Sequence, residues 1–137
     1  MNFKDFINTK YVKKTLPDKA LIKSLLETAE SDILFLKKIV LDNNSARKVM
    51  TNYYDVLRSV LEAIASKFGY KIYSHEIFAQ FLKHINEHFI AEKFDRFRKI
   101  RNNINYYGKN ISILEAKELV PEITRIIEIL KKKYLSD

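Results

Sequence analysis

The sequence predicts an all-α protein: an up-and-down four-helix bundle with an additional C-terminal helix. Apolar residues recur every three or four positions through most of the 137-residue chain, which is the spacing of amphipathic helices. Two glycines and two prolines are too few for the many tight turns of a β-sandwich or barrel. A hydrophobic content of 47% is too high for a disordered chain. We expect a single domain over residues 1–137, with residues 1–15 as an N-terminal arm or short helix and residues 16–135 as the bundle.

Capping residues and helix breakers set the expected helix limits. Gly108 should adopt the left-handed conformation that ends the fourth helix, and Ser112 with Glu115 should form a capping box that opens the fifth. Consecutive helices joined by short loops run antiparallel. The C-terminal end of the fourth helix should therefore lie beside residues 68–74, next to His75. The predicted helices cover residues 15–42, 45–68, 74–89, 91–107 and 112–133.

The chain is basic, with a net charge of +8. Lysines spread over helices are common on solvated surfaces, but they also provide a surface for polyanions. A cluster of basic residues at 93–101 favours the second interpretation, because it coincides with a polar stripe on the fourth helix.

Two further features indicate where the protein works. Zero cysteines exclude a disulfide framework and a thiolate metal site, as is usual in a reducing compartment. No apolar run reaches the roughly 18 residues of a membrane span, and the N-terminus lacks the apolar core of a signal peptide. We therefore expect a cytoplasmic protein with no membrane association.

The polar stripe lies on the fourth predicted helix, opposite its apolar side. At about 100° per residue, Phe97, Ile104 and Tyr107 face the core. Two guanidiniums, two carboxamides and a phenol on the other side can hold a phosphate and a base. Alternatively, the arginines form ion pairs with Asp95, Glu62 or a partner subunit, and the asparagines only weaken the helix before its end. The stripe consists of Arg98, Arg101, Asn102, Asn105 and Tyr106.

Three segments of the chain together resemble the HEPN family of small helical bundles. They are residues 25–33, residues 51–62 with paired aromatics, and residues 101–108, which read Arg-Asn-Asn-Ile-Asn-Tyr-Tyr-Gly. The resemblance covers about residues 18–134. It implies a homodimer in which the fourth helices approach each other. Active family members are metal-independent endoribonucleases, often toxins encoded beside a nucleotidyltransferase-type antitoxin, and the resemblance implies no cofactor.

The family motif is an arginine, a polar residue, a few further residues and a histidine. Arg101 and Asn102 match its first two positions, and the histidine position falls on Tyr106, with Tyr107 and Asn105 as alternatives. A phenol, with a reference pKa near 10, is a poor general base at neutral pH. Loss of the base typically costs about 10²- to 10⁴-fold in rate. Catalysis is therefore expected to be weak or absent unless His75 substitutes.

The resemblance leads to two functional interpretations. In the first, the protein is an RNA- or nucleotide-associated HEPN-like protein of toxin–antitoxin or defence type, with a degenerate Arg-Asn-x-x-x-Tyr motif. In the second, it is a non-catalytic module that dimerises and docks a nucleotidyltransferase-type partner. The predicted catalytic residues are Arg101, Asn102, Tyr106 and His75, and the predicted phosphate-binding residues are Arg98, Arg101, Asn105 and Tyr106.

His84 and His88 have the four-residue spacing of a metal-binding pair. Only Glu87 and Glu92 lie near them as acidic third ligands, and the glutamate that follows the first histidine in zinc-protease motifs is missing. We therefore expect surface histidines and no metal.

Overall fold

The computed structural model describes residues 1–136, and they are mostly helical, as predicted. A small two-stranded antiparallel sheet, which the sequence did not predict, accompanies the helices. The elements in chain order are α1 (Phe3–Phe6), β1 (Val12–Lys14), α2 (Lys19–Leu36), α3 (Ala46–Lys67), β2 (Tyr70–Ile72), α4 (Ile77–His84), α5 (His88–Tyr107), α6 (Ile113–Leu130) and a π-helical turn (Lys131–Leu135).

Helix α3 is the centre of the domain, with 14 of its 22 residues buried. Helix α2 runs antiparallel to it, since the backbone N–H of Asp18 donates to Ser66 Oγ at 3.2 Å. Helix α6 runs parallel to α3, because Lys67 Nζ reaches the carbonyl of Tyr134, just beyond α6, at 2.7 Å. The core is therefore assembled around α3, and even the polar side chains of Thr51 and Ser66 on this helix are buried.

The N-terminal arm contains both a short helix and a strand. Val12 pairs with Ile72 in the sheet, and Phe3 is buried with its ring 5.1 Å from that of Tyr70 and 5.4 Å from that of Phe81. Strands of three residues are too short to show a period-two pattern in the sequence, which explains why the sheet was missed.

The sheet overturns the expected position of the end of α5. About 20 Å separates Tyr54 from Lys67 along α3, and the extended residues 69–74 cover about the same distance in the opposite direction. This segment carries the chain back along α3, so that His75 meets Tyr54. Helix α5 consequently runs antiparallel to α3 and ends beside Arg47, at the start of α3. The predicted contact between the end of α5 and residues 68–74 is wrong.

Helix ends follow local capping more closely than apolar periodicity. Helix α2 stops at Leu36, before the predicted Asp42, whose carboxylate instead accepts hydrogen bonds of 2.8 Å from the N–H groups of Asn44 and Ser45. The predicted helix 74–89 is broken by Asn86, at φ 65°.

The predicted turn chemistry around α5 and α6 is confirmed. Gly108 is left-handed at φ 65°, and Ser112 and Glu115 form the capping box. Within residues 1–136, none of the helices has the length and apolar character needed to cross a bilayer.

Candidate functional site

Arg101 lies between two tyrosine rings. Its guanidinium carbon is 5.6 Å from the ring centroids of both Tyr54 and Tyr106. Nη1 donates to Tyr106 Oη at 3.2 Å and to Asn102 Oδ1 at 3.4 Å. Nε is buried without a hydrogen-bond partner, and no carboxylate within residues 1–136 lies within 4 Å of the guanidinium. Arg101 is thus a partly buried cation with donors left for an anionic ligand.

The antiparallel packing of α5 on α3 produces this arrangement. The apolar side of α5 is anchored by Phe97 and Ile104, which are buried as predicted. One turn before Phe97, the ring of Phe94 stacks on that of Tyr54 at 5.5 Å. Because Arg101 is two turns further along α5 than Phe94, it lies on the same face of the helix and its side chain contacts the same tyrosine.

His75 joins the site through Tyr54. The Tyr54 hydroxyl and His75 Nδ1 are 3.2 Å apart. Burial, followed by repulsion from Arg58, Arg101 and Arg98, lowers the pKa of His75 to about 4. The imidazole is therefore neutral at pH 7. Burial raises the pKa of Tyr54 to about 12 despite the arginines, so its phenol stays protonated.

Two more arginines complete the positive charge around His75, and each has a carboxylate partner. Arg58 Nη1 lies 2.5 Å from Glu62 Oε1, and Arg98 Nη2 lies 2.8 Å from Asp95 Oδ1. Burial also raises the pKa of Asp55, although Arg101 and Arg58 oppose that change. Three guanidiniums around a neutral imidazole create a field that favours an anion, and only Arg101 has no carboxylate of its own.

Most, but not all, of the predicted site residues come together. Arg101 donates hydrogen bonds to both Asn102 and Tyr106, and His75 is added through Tyr54. The side chain of Arg98 is directed to Asp95, which is the ion pair that we considered as an alternative.

Apart from Tyr106, the exposed residues at the end of α5 lie outside the site and the core. Asn105 lines a separate shallow pocket with Arg47, Lys48 and Thr51. Tyr107, predicted to be in the core, is 74% exposed. Residues 105–110 are all exposed, because no other element covers this end of α5. The apolar periodicity of the helix therefore does not predict burial here.

The polar face of α3 contributes more to the site than its sequence pattern indicates. Tyr54, Asp55 and Glu62, which share this face with Arg58, have the pattern of an ordinary solvated or dimer-facing surface, but Tyr54 is fully buried and forms the link between Arg101 and His75. The available signal was the spacing of three and four residues that places these polar groups on one helix face.

Within residues 1–136, no group of three or more histidine, aspartate or glutamate side chains is arranged to hold a metal ion. The ring of His84 instead packs 5.1 Å from that of Phe3. No family profile, curated protein sequence or solved structure matches this chain. Its function must therefore be argued from the chemistry of the site.

Proposed function

We propose that this protein is a HEPN-like RNA-binding protein of toxin–antitoxin or defence type, which holds an RNA phosphodiester at Arg101 and cleaves it without a metal. The observation that carries the proposal is the position of Arg101: a guanidinium without a carboxylate, held between two tyrosine rings and separated from a neutral histidine by one of them. In this proposal His75 takes the role of the motif histidine that the sequence lacks.

The chemistry and surroundings of Arg101 suit the binding of a phosphate. Its planar guanidinium offers paired donors, and the two tyrosines restrict its orientation before any ligand arrives. Arg58 and Arg98 add positive charge but are already paired, so they contribute mainly to the electrostatic potential. A bound phosphodiester would supply the counter-charge that the site lacks.

The proposed cleavage is a transesterification. The RNA 2′-hydroxyl attacks the phosphorus, its proton passes to His75 Nε2, the new 2′-O–P bond forms and the P–O5′ bond breaks. Nδ1–H then donates to the Tyr54 oxygen, which leaves Nε2 with the free electron pair that a base needs. Arg101 stabilises the charge on the phosphoryl oxygens. In this proposal Tyr106, which accepts a hydrogen bond from Arg101, donates a proton to the leaving oxygen.

A bound phosphate also improves His75 as a base. Its pKa near 4 results from burial and then from repulsion by three arginines. Because a phosphate neutralises that repulsion, the pKa of His75 should rise towards its ordinary value when RNA binds. The group would then be a stronger base in the complex than in the free protein.

The decisive experiment is an RNA-cleavage assay in the presence of a metal chelator. The wild-type protein should produce 2′,3′-cyclic phosphate and 5′-hydroxyl ends, and Arg101→Ala should abolish them. A matched variant, Arg96→Ala, changes an arginine on another face of α5 that contacts Glu122, and it should keep the activity. No cleavage by the wild type would remove the enzymatic part of the proposal, and undiminished RNA binding by Arg101→Ala would remove the rest.

A second candidate, the non-catalytic assembly module, is favoured by the exposed aromatic end of α5. Tyr106 is 67% exposed and Tyr107 is 74% exposed, and both are large side chains suited to a protein interface. In this candidate the protein forms a homodimer and docks a nucleotidyltransferase-type partner. Light scattering of the wild type and of Tyr106→Ser/Tyr107→Ser tests it: a dimer that becomes a monomer supports this interface, and an unchanged mass excludes it.

A further inference from the structure

A groove of about 430 Å³ opens beside His75, on the side away from Arg101's neighbours on α5. It runs between the start of α2, the second half of α3 and the segment that follows β2. This volume is within the range of small-molecule sites in proteins. Its walls include Asp18, Leu21, Glu62, Ser66, Tyr73 and His75.

The walls of this groove differ in charge from the arginine site. Two carboxylates, those of Asp18 and Glu62, line the groove against a single cation, Lys71, so the groove is less suited to a phosphate than the arginine site. Both groups are hydrogen-bond acceptors, so they favour a neutral ligand that carries N–H donors. His75 belongs to both regions, since it lines the groove and contacts Tyr54 at the arginine site.

We propose that this groove binds a guanine base of the RNA, namely the base on the 5′ side of the cleaved phosphodiester. The assignment rests on the function proposed above. The nucleotide that supplies the attacking 2′-hydroxyl must place its ribose at His75 and its 3′-phosphate at Arg101. Its base is then directed away from Arg101, and the groove is the cavity that adjoins His75 in that direction.

Guanine fits the groove because of its pattern of donors. Its Watson–Crick edge carries two adjacent N–H groups, N1–H and N2–H, whereas adenine, cytosine and uracil each present a single donor position there. The hydrogen bond from Arg58 uses one lone pair of Glu62 Oε1, which leaves Oε2 and the second lone pair of Oε1 as acceptors for the two N–H groups. A carboxylate that accepts a pair of N–H groups discriminates strongly between bases.

Tyr73 provides the surface on which a base can stack. Its side chain is 58% exposed and forms part of the groove wall, and its ring has the Lys71 ammonium 5.9 Å from the centroid. Single-stranded RNA is commonly recognised by stacking of an unpaired base on an aromatic ring together with hydrogen bonds to its edge. Tyr73 and Glu62 can supply these two contacts in one groove.

The experiment measures the binding of 3′-GMP and 3′-UMP by calorimetry, because each carries one base and the phosphate that follows it. The wild type should bind 3′-GMP about 10-fold more tightly than 3′-UMP. Glu62→Gln keeps an oxygen for Arg58 but replaces the other acceptor by a donor, so it should reduce this ratio to within about twofold. Glu76→Gln, which alters a glutamate next to His75 that lines the α4–α5 groove, should keep the ratio.

Arg101→Ala separates this inference from the proposed function. This variant should bind both nucleotides more weakly by about the same factor, so the ratio of their affinities should stay unchanged. Equal affinity of the wild type for the two nucleotides, or an unchanged ratio in Glu62→Gln, would overturn the guanine groove while the phosphate site stands. Equal affinities of wild type and Arg101→Ala, or no binding by the wild type, would overturn both.

Tyr73→Ala provides a second test that does not depend on the stability of Glu62→Gln, because Tyr73 is exposed. This variant should lower the affinity for 3′-GMP about 10-fold and leave the affinity for inorganic phosphate unchanged. Unchanged affinity for 3′-GMP would exclude a base stacked on this ring and overturn the assignment.

Discussion

Two sides of helix α5 carry arginines, and they differ in what surrounds them. On the side that faces α3, Arg101 has tyrosine rings and a histidine nearby but no carboxylate. On the side that faces α6, Arg96 and Lys93 share Glu122, with Lys93 Nζ only 2.7 Å from the carboxylate. The first side has unsatisfied positive charge, and the second is an ordinary surface ion-pair network.

The surroundings of each basic residue say more about a possible ligand site than the net charge of +8 does. Exposed ion pairs contribute little to stability and leave little field for a ligand. A buried guanidinium without a carboxylate costs stability unless something compensates, so its presence suggests that the compensation is a ligand. The basic residues of α5 thus differ in their neighbours, since Arg96 and Lys93 have a carboxylate partner and Arg101 has none within residues 1–136.

The largest expected effect is on cleavage. His75→Ala should lower the rate of metal-free RNA cleavage by about 10²- to 10⁴-fold, the usual contribution of a general base. His88→Ala removes an exposed histidine at the start of α5 and should leave the rate unchanged. The measurement is the single-turnover rate at saturating protein. A rate for His75→Ala within twofold of wild type would exclude His75 as the base.

The next effect is on RNA affinity. Arg101→Ala should weaken binding of a short single-stranded RNA by about 10- to 100-fold, which corresponds to roughly 1.5–3 kcal/mol for hydrogen bonds to a charged group. The slope of log K against log salt should become less steep by about 0.7, the value for one phosphate contact on a single strand. Arg96→Ala should change the affinity by less than threefold, and equal losses in the two variants would mean that α5 binds RNA through net charge alone.

His75 should also make the stability of the fold depend on pH. The unfolded imidazole gains its proton near pH 6.5, but the folded one does so only near pH 4, because of burial and then Arg58, Arg101 and Arg98. Between these values the unfolded state binds more protons, so the free energy of unfolding falls as the pH is lowered from about 6.5 to 4.

After allowance for the partial exposure of the His75 ring, the free energy of unfolding should fall by roughly 1–2 kcal/mol between about pH 6.5 and 4. His75→Gln keeps a hydrogen-bonding group but does not titrate, so the difference between the two proteins isolates His75 from Asp55 and the other carboxylates. Urea unfolding at several pH values measures it. If the free energies of unfolding of wild type and His75→Gln changed with pH in parallel, His75 could not be a neutral buried imidazole.

The sequence was sufficient to predict features with strong local signals. The helical class, the left-handed Gly108 and the capping box of Ser112 and Glu115 all follow from periodicity and turn chemistry. The sequence also predicted that Arg101, Asn102 and Tyr106 would share one site, because they lie within about one and a half turns of one helix.

Features that depend on contacts distant in the chain were predicted less well. His75 reaches the site because β2 returns along α3, and a strand of three residues leaves no recognisable pattern in the sequence. The expected neighbours of His75 were therefore wrong, and it approaches Arg101 only through Tyr54. Likewise, Tyr54 and Tyr107 are both tyrosines on amphipathic helices, and only the packing makes one fully buried and the other exposed.

The smallest expected effect concerns Tyr54, the residue that connects the two halves of the site. Tyr54→Phe removes a buried hydroxyl and leaves His75 Nδ1 without its partner, so it should lower the free energy of unfolding by about 0.5–1.5 kcal/mol. The ring remains, and with it the stacking on Phe94 and the contact with Arg101, so RNA affinity should stay within twofold of wild type.

Tyr106→Phe removes an exposed hydroxyl and should change stability by less than about 0.5 kcal/mol. Chemical unfolding and RNA titration of both variants test this pair. A loss of RNA affinity in Tyr54→Phe as large as that in Arg101→Ala would mean that the hydroxyl, and not the guanidinium, is the main contact with the phosphate.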